Sequence, residues 1–263
     1  MSQRVDLNCD LGELPGAAGL AQELAMLPLV TSINLACGLH AGDPVRIREL
    51  AVAARQLEVA VGAHPSYPDR EGFGRRELDL PAKEIRDWVL YQIAAVAGLL
   101  KAEGIRLSHV KPHGALYNRA YRDRLVAEAI VDAMLTHDPE CVLVGQAGSA
   151  LIETGQRLGL VTASEVFADR GYAGDGSLLP RGTAGALISE PEKAAQRALR
   201  MVRASAVELA DGSQFGVAVD TICVHGDTPN AVEIARRMAE VLKLGGVELA
   251  ALPVRSRLFR VRN

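Results

Sequence analysis

The sequence predicts an α/β fold, a single distorted (β/α) TIM-like barrel domain over residues 1–263 with about seven parallel strands. Short β-branched runs alternate with helical patterns from one end of the chain to the other. A length of 263 residues is enough for one such barrel. No G-x-G-x-x-G follows the first strand and no G-x-x-x-x-G-K-[ST] occurs, which disfavours the common nucleotide-binding sheets.

The strands and helices can be placed individually. Strands are predicted at residues 5–10, 30–37, 59–64, 107–111, 141–146, 160–167 and 221–225, with a weaker one at 247–252. Three helices are predicted from apolar residues at helical spacing: Ile47, Leu50, Ala51 and Ala54; Ile85, Trp88, Val89, Ile93, Val96 and Leu100; Ile234, Ala235, Met238, Val241 and Leu242. Asp43-Pro44 and Thr228-Pro229 place proline where helices commonly begin.

Composition disfavours several classes of partner. The net charge is −3, and lysine and arginine are dispersed, so we expect no nucleic-acid partner. The four cysteines form no C-x-x-C, which favours buried reduced thiols over disulfides or a zinc site. There is no apolar signal core near the first residue, and the apolar stretch around residues 93–100 is too short for a bilayer. We therefore expect a soluble, cytoplasmic protein with no membrane partner.

Polar residues gather where the predicted strands end. They are Asn8, Asp10, His40, His64, Lys111, His113, Glu165, His225 and Asp227. The carboxyl ends of parallel barrel strands face the same mouth, so these side chains should converge there. Several such clusters on one face favour a functional site over unrelated structural histidines.

Some polar residues have simpler explanations. Asp43 and Asp227 both precede a proline closely, and helix N-capping accounts for either without chemistry. Asn8 fits either a turn or a residue that orients or binds a ligand. His109 lies just before the Lys111 cluster, where a core or supporting role is favoured over catalysis.

A glycine-rich segment at residues 169–182 interrupts the β-α repeat. Its glycines and aspartates predict a long mobile loop of the kind that closes over a site. Arg170 and Arg181 lie near its two ends. They can clamp a substrate carboxylate with paired hydrogen bonds, or they can be solvated loop charges.

Two kinds of chemistry fit the strand-end residues. Asp10, His40 and His64 come from three neighbouring strands and can form a metal site with an open position, although no H-E-x-x-H or H-x-x-x-H motif contains His40 or His64. Without a metal, Asp10 can act as a general base while His40, His64 or His113 moves protons. Lys111 can stabilise negative charge on an oxygen. Because G-x-S-x-G is absent, water is the expected nucleophile.

Eight segments together resemble one known family. They are residues 5–13, 36–44, 62–69, 72–76, 109–118, 165–170, 175–181 and 222–227. In this order they closely resemble the LamB/YcsF family. Leu39 stands where that family usually has phenylalanine, and Leu14-Pro15-Gly16 replaces its usual small and aromatic residues. Neither departure removes a polar candidate.

The resemblance implies a distorted β/α barrel like that of polysaccharide deacetylases. It also implies ATP-dependent hydrolysis of the lactam of 5-oxo-L-proline to L-glutamate, together with partner subunits B and C. ATP with Mg²⁺ is the implied cofactor, and a protein-bound metal is left open.

Two other functions stay open. One is a metal-dependent amide or N-acetyl hydrolase on the same barrel, which would work without ATP and hold a stoichiometric metal at Asp10, His40 and His64. The other is a non-catalytic role within the complex, in which Asp10→Ala and His64→Ala would leave the activity of the complex intact.

Overall fold

Seven parallel strands close into a barrel in the part of the chain that the computed structural model describes, residues 3–226 and 230–253. The described residues contain three further strands, and the full set in chain order is β1 (Arg4–Leu11), β2 (Ser32–Ala36), β3 (Ala60–His64), β4 (His109–Val110), β5 (Val142–Gln146), β6 (Thr162–Phe167), β7 (Ala206–Glu208), β8 (Gln214–Gly216), β9 (Thr221–Val224) and β10 (Glu248–Leu249). The helices are α1 (Gly16–Met26), α2 (Pro44–Gln56), α3 (Ala82–Ala102), α4 (Gly114–Arg122), α5 (Arg124–His137), α6 (Ala150–Arg157), α7 (Pro191–Ala204) and α8 (Ala231–Leu244).

Strand β9 closes the barrel. Around the barrel the strands run β1, β2, β3, β4, β5, β6 and β9, and β9 pairs again with β1. Thr221 is in register with Glu165 of β6 on one side and with Asp6 of β1 on the other. Strand β10 lies beside the start of β1 and leaves this closure intact. The predicted barrel is therefore confirmed.

Each predicted strand is present, although the fourth and the last contain only two residues each. The antiparallel hairpin of β7 and β8 was not predicted. Its second strand is mostly exposed and very short, so it carries no clear apolar alternation.

Helices cover the outside of the barrel with the apolar faces that their spacing predicted. Ile85, Val89 and Ile93 of α3 are fully buried, and α3 packs against α5. Trp88 lies at the edge of this face and is 38% exposed. The Asp43 carboxylate caps α2 by accepting hydrogen bonds from the backbone N–H groups of Val45 and Arg46.

The barrel interior is polar on the side formed by β1. Apolar residues alternate along this strand with Asp6, Asn8 and Asp10, and all are buried. Asn8 reaches Glu165 of β6 and Asp10 reaches Lys111 after β4, and neither strand is a neighbour of β1, so this face points into the lumen. Asp6 accepts hydrogen bonds from three hydroxyl groups, and burial raises the pKa of its carboxyl.

Gly62 of β3 makes room for a histidine inside the barrel. A Cβ atom at this position would lie 2.2 Å from His109 Nε2. That nitrogen is 2.7 Å from Asn34 Oδ1, and His109 Nδ1 is 2.6 Å from Ser108 Oγ. Burial lowers the pKa of His109 to about 3, so the ring is neutral. His109 therefore supports Asn34, in agreement with the core or supporting role predicted for it.

All four cysteines lie in the described residues, and each is buried with a free thiol. In the same part of the chain, no helix has both the length and the apolar character needed to cross a membrane.

Candidate functional site

A cavity of about 410 Å³ opens at the mouth where the barrel strands end. Seven of the predicted site residues line it: Asp10, His64, Lys111, His113, Arg170, Arg181 and His225. His40, Glu165 and Asn8 are buried behind this lining. Asp227 lies outside the described residues. The expected convergence of strand-end side chains is therefore found for most of the set.

The Lys111 ammonium group holds the floor of the cavity together. Lys111 Nζ lies 2.9 Å from Asp10 Oδ1, 2.8 Å from Glu165 Oε1 and 3.1 Å from Cys223 Sγ. Burial alone would lower the pKa of Lys111, but the carboxylate of Asp10 and the other acidic neighbours outweigh it and raise that pKa well above its usual value. The lysine is therefore a fixed positive charge.

Asp10 is held as a carboxylate by its neighbours. Its Oδ1 accepts hydrogen bonds from Lys111 Nζ and from Asn34 Nδ2 at 2.8 Å, while its Oδ2 lies 3.4 Å from His64 Nε2. Burial would raise the pKa of Asp10, but the charges of His64 and Lys111 lower it well below the usual range. Asp10 is thus ionised and partly open to the cavity.

Asn8 does not reach the cavity. Its Nδ2 donates to Glu165 Oε1 at 2.9 Å and to Thr221 Oγ1 at 2.7 Å, and its Oδ1 accepts from Asn34. With the side chain 1% exposed, the expectation that Asn8 binds substrate is wrong. It acts instead by fixing Glu165.

Glu165 is a buried acceptor, and one of its donors was not predicted. The Tyr117 hydroxyl donates to Glu165 Oε2 at 2.6 Å, and Tyr117 also lines the cavity. Burial and the Glu165 charge raise the pKa of Tyr117 well above its usual value, so the phenol keeps its proton. The sequence gave only a weak indication that Tyr117 belongs to the site: it lies one helical turn after the candidate site residue His113.

Glu13 is the most important residue that sequence reasoning missed. Strand β1 ends at Leu11, and Gly12 adopts the left-handed conformation with φ 80°, which is strained for other residues. This turn brings Glu13 Oε1 to 2.9 Å from His40 Nε2 and 3.1 Å from His113 Nδ1. Burial opposes ionisation of Glu13, but the hydrogen-bonding imidazoles of His113 and His40 lower its pKa below the usual range.

The three histidines around Glu13 are each held from behind. His64 Nδ1 lies 2.7 Å from the Lys111 carbonyl oxygen, and His113 Nε2 lies 2.8 Å from that of Phe73. His40 Nδ1 lies 2.9 Å from Ser66 Oγ, and its ring stacks on that of His113 with centroids 3.8 Å apart. Burial lowers the pKa of His40 to about 4, so this ring is neutral.

Of the three candidate metal ligands from the sequence, Asp10 and His64 meet, with 3.4 Å between Oδ2 and Nε2, but His40 is turned away from them. His40 directs Nε2 to Glu13, and its ring centroid lies 5.7 Å from that of His64. Among the described residues, two other groups of three possible ligand atoms do come together. One is Glu13, His64 and His113, and the other is Asp10, Cys223 and His225.

A second acid–imidazole pair lies in this region. His225 Nδ1 is 2.9 Å from Asp169 Oδ2, and the His225 ring stacks on Phe167 with centroids 5.3 Å apart. His225 and Phe167 line the cavity, whereas Asp169 is 1% exposed. Asp169 was not predicted as a site residue.

The glycine-rich segment at 169–182 lies over the mouth and is anchored by hydrogen bonds. Arg170 is buried, and its guanidinium donates to the carbonyl oxygens of Leu179 at 2.6 Å and Ala186 at 3.2 Å. Gln146 at the end of β5 donates to the Gly176 carbonyl oxygen at 2.7 Å. Arg170 therefore organises the segment as well as lining the cavity.

Known proteins share the sequence pattern of this chain over almost its whole length. A model of the LamB/YcsF family matches residues 5–257. The chain belongs to the LamB/YcsF family. A relative from Methylococcus capsulatus, named as the A subunit of 5-oxoprolinase, is 51% identical, over 96% of this chain and 97% of its own length. The Bacillus subtilis protein of the same name is 45% identical, over 95% of this chain and 97% of its own length.

A comparison with solved structures agrees with the assignment of this chain to the LamB/YcsF family. A lactam utilization protein from Thermus thermophilus superimposes with a TM-score of 0.87 at 47% identity, covering 95% of this chain and all of that one. A family 4 carbohydrate esterase from Streptomyces lividans superimposes with a TM-score of only 0.45 at 11% identity. That likeness is too weak to carry an argument about function.

Proposed function

We propose that the chain is the A subunit of a 5-oxoprolinase, a cyclic amide hydrolase that opens the lactam of 5-oxo-L-proline to L-glutamate with hydrolysis of ATP. The observation that carries this proposal is the cavity, which is lined by an ionised Asp10, by His64, His113 and His225, and by arginines. Its volume of about 410 Å³ suits a small molecule. The names of the relatives at 45–51% identity support the choice of substrate.

In the proposed reaction, Asp10 accepts a proton from the water that attacks the lactam carbonyl carbon. Lys111 keeps Asp10 ionised, because its ammonium lies 2.9 Å from Asp10 Oδ1. ATP first phosphorylates the lactam oxygen, which makes the carbon more electrophilic. Water adds to this carbon, and the carbon–nitrogen bond then breaks as His113 supplies a proton to the departing amine, which leaves an acyl phosphate. A second water hydrolyses the acyl phosphate and releases phosphate and L-glutamate.

The remaining roles follow from position. Arg170 and Arg181 line the cavity and hold the carboxylate of 5-oxoproline, since guanidinium groups pair well with carboxylates. Glu165, His40 and Asn8 are buried behind the lining and hold the groups that touch substrate.

Partner subunits B and C carry the nucleotide work in this proposal. The sequence contains no G-x-x-x-x-G-K-[ST] phosphate-binding loop. The relatives are named for one lettered subunit of their enzyme, and such a name implies a complex of several chains. ATP and its Mg²⁺ are therefore expected to bind outside this chain or between it and its partners.

The test is release of glutamate from 5-oxoproline, measured with and without ATP and with and without subunits B and C. The complete mixture should form glutamate, and omission of either ATP or the partners should abolish it. Full activity of the chain alone would contradict the proposal that subunits B and C carry out the reactions of ATP. Glutamate formation without ATP would contradict the proposed reaction.

Asp10→Asn should reduce glutamate formation by the complex by at least about a hundredfold, because the amide cannot accept the water proton. Asp79→Asn is the matched control, since Asp79 is exposed and does not line the cavity. Assembly with the partners is followed by size-exclusion chromatography. An assembled Asp10→Asn complex with normal turnover would contradict the role of Asp10.

A further inference from the structure

Two imidazole nitrogens face each other at the floor of the cavity. His64 Nε2 lies 3.0 Å from His113 Nδ1. The opposite nitrogen of each ring lies against a backbone carbonyl oxygen, at 2.7 Å for His64 and 2.8 Å for His113. A carbonyl oxygen can only accept, so those outer nitrogens carry the ring protons. In two neutral rings the inner nitrogens would then oppose lone pair to lone pair, unless a cation lies between them.

Glu13 completes a triangle of ligand atoms. Its Oε1 lies 3.1 Å from His113 Nδ1 and 3.8 Å from His64 Nε2. A triangle with these sides has a point about 2 Å from all three corners, which matches the ~2.0–2.2 Å between zinc and nitrogen or carboxylate oxygen. The triangle is thus already the right size for a metal ion.

The charge of the floor also requires a cation. The carboxylates of Asp10 and Glu165 share the Lys111 ammonium group, and the carboxylate of Glu13 lies beside His113. A buried excess of negative charge is costly unless a cation compensates it. A divalent ion beside Glu13 would neutralise both carboxylate charges that Lys111 leaves, whereas the single positive charge of a protonated His64 would neutralise only one.

The surroundings of the triangle have the features of a metal site. Backbone carbonyl groups fix the tautomer and orientation of His64 and His113, as commonly found behind metal-bound histidines. His40 Nε2, at 2.9 Å from Glu13 Oε1, orients the carboxylate in the same way. Three protein ligands leave positions open toward the cavity, as at catalytic sites.

We propose that Glu13, His64 and His113 bind one divalent first-row transition-metal ion at the floor of the cavity. Two imidazole nitrogens and one carboxylate oxygen suit zinc, cobalt or iron(II), and do not favour calcium or magnesium. The site rests on its own geometry and does not require the lactam substrate. Where the metal is bound, His113 is a ligand, and the proton for the departing amine then comes from another group of the cavity.

The other converging group, Asp10, Cys223 and His225, is already occupied by a side-chain cation. Lys111 Nζ lies 2.9 Å from Asp10 Oδ1 and 3.1 Å from Cys223 Sγ. Burial raises the pKa of the Cys223 thiol well above its usual value, so it does not supply the thiolate that metals prefer.

The test uses the full-length chain, stripped with a chelator, dialysed and titrated with Co²⁺ or Zn²⁺ alone. Bound metal is counted by mass spectrometry, and Co²⁺ is also followed by visible absorption. We expect one ion per chain. Each of three variants, His64→Ala, His113→Ala and Glu13→Gln, should weaken metal binding by more than about a hundredfold. Loss of a group that only orients a ligand already costs about 10- to 100-fold in metal affinity, and loss of the ligand itself should cost more.

His137→Ala is the control for a histidine outside the site, since His137 ends α5 and does not line the cavity; it should bind normally. Circular dichroism checks that each variant folds, and Glu13→Gln keeps the size of the side chain if an alanine variant does not fold. If the wild-type chain binds far less than one ion, the proposal is overturned. The short contact between His64 Nε2 and His113 Nδ1 would then be a hydrogen bond through a shared proton. A strong thiolate-to-cobalt absorption, lost in Cys223→Ser, would also overturn it.

Discussion

At the scale of single residues, the same kind of group behaves differently according to what surrounds it. Burial raises the pKa of Asp6, whose partners are hydroxyl groups. Burial works in the same direction on Asp169, but the charges of His225 and Arg170 and the His225 hydrogen bond outweigh it and lower the pKa of that carboxyl. Two equally buried aspartates therefore have opposite effects on stability as the pH changes.

Asp169 gives a prediction about acid stability. Because its pKa is lower in the folded chain than the ordinary 3.8, its stabilising effect is present above that pH. The effect is lost as the pH falls through the folded-state pKa. The difference in free energy of unfolding between wild type and Asp169→Asn should therefore be largest near neutral pH and shrink below about pH 4.

Urea denaturation at several pH values, followed by circular dichroism, measures this difference. Asp79→Asn, at an exposed position, should show a small difference at every pH. A difference for Asp169→Asn that grows on acidification would show that the sign is wrong.

At the scale of elements, helix faces and strand positions could be predicted, but the role of the strand interiors could not. The alternation along β1 is typical of a strand with one face in water, yet both of its faces are buried. The polar face is tolerated because each side chain finds a hydrogen-bond partner, Asp6 on the neighbouring strands and Asn8 and Asp10 across the lumen. Those partners come from distant parts of the chain, and a one-dimensional pattern does not show them.

Strand β3 gives a second prediction. Gly62→Ala should lower the free energy of unfolding by about 1–3 kcal/mol, because the added methyl group would overlap the His109 ring. Gly98→Ala is a matched control in α3, where a Cβ atom meets nothing within 4 Å. There the same substitution should stabilise the chain by up to about 1 kcal/mol.

Chemical denaturation of the two variants beside wild type gives both values. Equal effects of the two substitutions would contradict the packing of His109 against Gly62.

At the scale of the whole molecule, the barrel depends on the contact between its first and last strands. The Thr221 hydroxyl donates to Asp6 Oδ2 at 2.5 Å and accepts from Asn8 Nδ2 at 2.7 Å. This one group joins β9 to the polar face of β1. It also supports Asn8, which in turn holds Glu165 at 2.9 Å.

Thr221→Val keeps the shape of the side chain and removes its hydroxyl. We expect the free energy of unfolding to fall by about 1–3 kcal/mol, because a buried amide and a buried carboxyl each lose a partner. Thr183→Val, at an exposed position, should change it by less than about 0.5 kcal/mol. Thermal or urea unfolding provides the measurement, and equal stability of Thr221→Val and wild type would contradict this role of the hydroxyl.

The sequence predicted the barrel and most of the residues at its mouth, because strand periodicity and strand ends are local features. It did not predict Glu13, which reaches the histidines through the turn at Gly12. It offered His40 as one candidate metal ligand, whereas the two ring nitrogens of His40 lie against Ser66 and Glu13. Residues that share a mouth can be found from spacing, but which of them touch depends on side-chain directions that only the folded chain fixes.

During translation, β9 is the last of the seven barrel strands to be synthesised. Until residues 221–224 are available, β1 and β6 are unpaired edges, and the acidic groups between them remain in water. The cavity therefore cannot form during most of the chain's synthesis. Nascent chains must keep these edges from pairing with one another, which makes the interval before release the period of greatest risk of aggregation.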